Sequence, residues 1–104
     1  MVAANNILSS IKSQVQAVVP GAKVLLFGSR VYGVPTEESD WDILILTKDK
    51  HPKSTKRLIQ DKLFPISMEF STFINLLLVR EDEWETNAGY YSLRKNIGNN
   101  LIIA

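Results

Sequence analysis

The sequence predicts an α+β domain: a small mixed β-sheet with helices packed mainly on one side. Three observations carry that expectation. Apolar residues recur at helical spacing near the N-terminus, and two short, almost continuously apolar runs read as buried strands. Strands and helices also mix without the regular alternation that would build a doubly wound sheet.

The elements follow in order. Ile7, Leu8, Ile11, Val15, Val18 and Val19 place an amphipathic helix over residues 4–19, and Pro20-Gly21 stops it. Residues 23–27 are a short apolar strand ending on Gly28-Ser29. The polar stretch 34–39, with Pro35, reads as a loop, and residues 41–46 as a central strand. A second helix is expected over residues 52–64, burying Leu58, Ile59, Leu63 and Phe64, with Pro65 breaking it. Residues 66–79 are β-prone throughout, as one long bent strand or a hairpin turning near Ser71-Thr72. Short helices are expected at 81–85 and 90–97, the latter capped by Gly98.

Composition narrows the chemistry. With 104 residues, 45% apolar and 22% charged, the chain reads as one globular domain over residues 1–104. It has no cysteine, which excludes disulfides, thiolate zinc sites and thiol nucleophiles. His51 is its one imidazole, so histidine clusters are excluded too. Carboxylate oxygen is left for metal chemistry, and it suits hard cations such as Mg²⁺. A net charge of +1 is too small to steer the domain toward nucleic acid by itself. The basic residues Lys48, Lys50, Lys53, Lys56, Arg57 and Lys62 and the acidic Glu81, Asp82, Glu83 and Glu85 read as solvated helix faces. No apolar run reaches the ~18 residues a membrane span needs. The N-terminus lacks the basic and apolar regions of a signal peptide, so a cytoplasmic protein is expected.

Two segments carry chemical information: Gly28-Ser29-Arg30-Val31-Tyr32-Gly33, and Ser39-Asp40-Trp41-Asp42. Along a strand, residues i and i+2 share a face. Asp40 and Asp42 therefore project together, with Trp41 toward the other side. Two adjacent carboxylates at the head of an apolar strand repel each other and resist desolvation, and a divalent cation removes that cost. Gly28 permits a sharp turn or a close ligand approach. Ser29 and the amides after it can meet a phosphate, and since a metal held by the aspartates would bridge such phosphates, the Gly28-Ser29 turn is expected beside Asp40. Two other phosphate motifs fail. The spacing of Gly28 and Gly33 is that of a P-loop, but Val34-Pro35 stands where Lys-Ser/Thr is required, and the dinucleotide-binding pattern lacks its third glycine.

Together, Gly28-Ser29, Arg30, Gly33, Ser39-Asp40 and Asp42 resemble the signature of the polymerase-beta-like nucleotidyltransferase superfamily, in its minimal, stand-alone branch. The resemblance extends along most of the chain in element order. It implies the nucleotidyltransferase fold, with Gly28, Ser29 and Arg30 binding a nucleoside triphosphate. Asp40 and Asp42 would be catalytic and would hold one or two Mg²⁺. An acceptor hydroxyl would attack the α-phosphorus and release pyrophosphate. In this branch the acceptor is often a helical HEPN-type toxin, which would make this chain an antitoxin, either active or reduced to binding. A catalytic subunit for a small molecule or nucleic acid is the third possibility. Active members carry a third carboxylate on a later strand. Asn75 aligns with it, and Glu69 replaces it only if the strand bends. Trp41, Trp84, Tyr90 and Tyr91 read as packing aromatics, and His51 as a helix-start residue.

Overall fold

The computed structural model describes residues 4–27, 40–49, 53–97 and 102–103. The first helix, α1, spans Ala4–Val18 and buries Ile7, Leu8, Ile11 and Val15, the i, i+3/i+4 stripe expected of a helix with one covered face. Gly21 then turns the chain back with φ 85, a backbone state that a side chain would oppose. The side chain of Gln16 closes the turn, donating to the Ala22 carbonyl at 3.1 Å. Strand β1, Lys23–Phe27, follows at once.

Strand β2, Trp41–Thr47, is the centre of the sheet. It pairs antiparallel with β1 and parallel with β3, Ile74–Arg80. A two-residue strand, β4 (Ile102–Ile103), pairs antiparallel on the far side of β1, so the order is β3-β2-β1-β4. The sheet is mixed, as expected. β2 is covered on both faces, which is why its run from Ile43 to Leu46 reads as continuously apolar.

Helix α2 corrects the sequence reading. It spans Lys53–Glu69 and passes through Pro65. Its buried residues Ile59, Leu63 and Ile66 continue one stripe across the proline, while Pro65 itself is exposed. The amide that proline lacks is thus lost on the solvent side. The helix ends in a Schellman arrangement: the Ser71 amide donates to Met68 and the Thr72 amide to Ser67, with Ser71 at φ 50. Residues 66–69 are therefore helical, and the strand begins only at Ile74. Leu58 and Phe64, expected in the core, are 54% and 62% exposed. They lie roughly 100° or more around the helix from the buried stripe.

Beyond β3 come α3 (Glu81–Thr86), a 3-10 turn (Ala88–Tyr90) and α4 (Tyr91–Ile97). Arg94 fastens this segment by donating to the carbonyls of Trp84 and Asn87.

Two apolar clusters result. On one sheet face, Val24, Leu26, Trp41, Ile43 and Ile45 pack against α1 and α2. On the other, Leu25, Leu44, Leu46 and Val79 meet Trp84 and Ile97. The two long helices share one face, and the short C-terminal helices cover part of the second. Trp84 and Tyr90 pack as expected, with ring centroids 5.7 Å apart, whereas Tyr91 is exposed. Among the described residues, no helix is long and apolar enough to cross a membrane.

Candidate functional site

The alternation along β2 decides where its carboxylates point. Trp41, Ile43 and Ile45 fill the first cluster, so Asp42 shares the face of Leu44 and Leu46. Asp40 immediately precedes the strand. The Trp41 amide donates to the Phe73 carbonyl at 2.8 Å, extending the ladder toward Asp40. Parallel pairing then sets Asn75 opposite Asp42. The three side chains meet at the end of the second face that α3 and α4 leave open, and all are at least partly exposed.

Their contact is specific. Asn75 Nδ2 donates to Asp40 Oδ2 at 3.0 Å and to Asp42 Oδ1 at 3.1 Å. A primary amide carries two hydrogens on that nitrogen, so one group satisfies both carboxylates. Asp40 and Asp42 thus share a face, as their spacing demands, and Asn75 is the residue beside them. Glu69 is not on that strand. It is the exposed last residue of α2, separated from Asn75 by the 70–73 turn.

Gly28, Ser29 and Arg30 lie outside the described residues, as do Tyr32, His51 and Gly98. The expected contiguity of Ser29 and Asp40 falls there too. Phe27, the last residue of β1, pairs in register with Asp42. The chain therefore leaves β1 at the carboxylate end of the sheet.

Asp40 and Asp42 are the described side chains at this site whose oxygens could hold a hard cation. One oxygen of each carboxylate lies within hydrogen-bonding distance of the same amide nitrogen, so the two acids converge on one place. The described residues supply no third acid for a two-metal centre. Among the described residues, no group of three or more His, Cys, Asp or Glu side chains could hold a metal ion.

The acidic segment lies at the opposite end of the sheet. There Lys23 pairs with Glu81, and that hydrogen bond raises the lysine above its ordinary pKa. Arg80 donates to Asp82 and holds its carboxyl below the usual range. These exposed pairs fasten α3 to the strand ends and contribute little to stability.

Comparison with known proteins agrees with this architecture. The family profile described as "Nucleotidyltransferase domain" matches residues 5–91. Among solved structures, the chain is similar to one in the crystal structure of the MntA–HpeT toxin–antitoxin, a mutant with two aspartate-to-glutamate replacements two positions apart. The TM-score is 0.63 at 14% identity, over 91% of this chain and 69% of that one. At that identity the likeness shows a shared fold. No match is found among curated proteins.

Proposed function

Because the chain belongs to the nucleotidyltransferase domain family, we propose that it binds a nucleoside triphosphate with one divalent cation at Asp40 and Asp42. On this reading it transfers nucleoside monophosphate only slowly to a hydroxyl on a partner protein. The observation that carries the proposal is the pair of hydrogen bonds from Asn75 to both carboxylates, in the place where a third acid would stand.

Asp40 and Asp42 would hold the cation. When bound, it would supply positive charge to the phosphate oxygens. Gly28, Ser29 and Arg30 would receive the triphosphate at the same end of the sheet, since β1 ends at Phe27 opposite Asp42. The acceptor hydroxyl must lose a proton as it bonds to the α-phosphorus and pyrophosphate leaves. A neutral amide cannot take that proton. Asn75 therefore supports binding and orientation better than turnover.

The partner is proposed to be a helical HEPN-type toxin, with this chain as its antitoxin. The fold shared with a toxin–antitoxin structure supports that role. So does the paired aspartate replacement in that structure, at the spacing of Asp40 and Asp42.

The test uses labelled nucleoside triphosphates, Mg²⁺ and the candidate partner. Asp42→Ala should lose Mg²⁺-dependent nucleotide binding. Asn75→Asp should raise label transfer, by up to the ~10²–10⁴ that a positioned general base contributes. Brisk transfer by the wild-type chain, unchanged in Asn75→Asp, would falsify the slow-transfer reading. Binding with no transfer by either protein would leave a binding module.

A further inference from the structure

We propose that Asn75 is a clasp that competes with the cation for Asp40 and Asp42, making metal binding conditional on the nucleotide. The inference rests on the proposed reading that these two aspartates hold the cation, and it concerns how that site is regulated.

Three observations support it. First, the Asn75 amide gives one hydrogen to each carboxylate, at 3.0 and 3.1 Å, and so engages the oxygens of both that an ion would have to bind. Second, the clasp is held by the fold. Asn75 and Asp42 are register partners on adjacent parallel strands, and the ladder fixes both backbones. The amide can clear the carboxylates only by side-chain rotation. Third, the cluster contains no third acid among the described residues. A cation arriving alone must break two hydrogen bonds to charged acceptors, which are stronger than neutral ones. In return it finds two protein carboxylates and otherwise water.

A cation arriving with a triphosphate meets different terms. Phosphate oxygens complete its ligand set, and the nucleotide's own contacts help to offset the broken clasp. The metal-free pair is meanwhile kept from mutual repulsion by the amide. The device thus keeps the site closed to free cation and opens it to the cation–nucleotide complex.

The test is Mn²⁺ binding by the full chain, followed by electron paramagnetic resonance, with and without α,β-methylene ATP. Wild type, Asn75→Ala and Asp42→Ala are compared. Without nucleotide, Asn75→Ala should bind Mn²⁺ about ten-fold more tightly than wild type, the scale expected for losing charge-assisted hydrogen bonds. With the analogue, both proteins should bind Mn²⁺ more tightly and keep about the same ten-fold difference, since the cation–nucleotide complex must break the same two hydrogen bonds in wild type. Equal or weaker binding by Asn75→Ala without nucleotide overturns the clasp, and a weakening would make Asn75 a ligand instead. If neither wild type nor Asn75→Ala binds Mn²⁺ under either condition, the metal-site reading itself fails and takes the clasp with it.

A second measurement needs no variant. In the wild-type chain, the Asn75 side-chain amide resonances should shift when the diamagnetic Mg²⁺ and the analogue are added together, and hold still with Mg²⁺ alone. A full shift with Mg²⁺ alone overturns the proposal.

Discussion

Ser71 carries a backbone state that glycine normally fills. With φ 50 it sits at the left-handed position of the Schellman turn that ends α2. A residue with a Cβ pays roughly 1–2 kcal/mol there, and glycine gives part of that back through greater freedom when unfolded. Ser71→Gly should therefore stabilise the protein by about 0.5–1 kcal/mol, read as a shifted urea midpoint at unchanged slope. A lower midpoint would show that the serine hydroxyl contributes more than the strain costs. At this scale the sequence was uneven in what it disclosed. The shared face of Asp40 and Asp42 was legible because strand alternation follows from covalent geometry. Asn75 was legible as a position, through the family resemblance. Its double hydrogen bond was not, because that depends on the register of two strands far apart in sequence. Ser71-Thr72 was read as part of one bent strand or as the turn of a hairpin, and not as the end of a helix.

Proline misled the reading of α2. A mid-helix proline removes one hydrogen bond and clashes with the preceding turn, at a cost of ~3 kcal/mol. That usually ends a helix. Here Ile59, Leu63 and Ile66 form one buried stripe on both sides of Pro65, and burying such side chains is worth about 1.5–3 kcal/mol each. Tertiary packing outweighs the local cost. Phe64 and Leu58 were misplaced for a related reason: apolarity was counted without fixing the phase of the stripe. Pro65→Ala should restore the missing hydrogen bond at a site that is exposed and already helical. The expected gain is roughly 1–3 kcal/mol in denaturant unfolding, less whatever proline contributed by restricting the unfolded chain. Loss of stability in that variant would mean that the geometry imposed by proline is needed to seat α2 on the sheet.

The whole molecule is one sheet with unequal covers. α1 and α2 close one face with long apolar stripes, while α3 and α4 close part of the other through Trp84 and Ile97. Among the described residues, that inequality leaves the carboxylate end of the second face uncovered, which is where a site can form. It was only half legible in the sequence. The long helices announce themselves by periodicity, whereas segments as short as α3 and α4 bury too few residues to reveal which face they cover. The same inequality sets an order of opening. Amides in β2, whose residues Ile43, Leu44 and Ile45 are fully buried, should exchange with solvent only on global unfolding. Amides of α3 and α4 should exchange earlier, through local opening of the second face. Trp84→Ala tests this directly. Truncating a buried tryptophan typically costs about 3–5 kcal/mol, and here the contact with Tyr90 is lost as well. Hydrogen exchange followed by mass spectrometry should show protection falling most across residues 81–97, with α1 and α2 falling less. A uniform fall would mean that the two faces unfold as a single cooperative unit. The C-terminal helices would then be as much a part of the core as the helices that precede them.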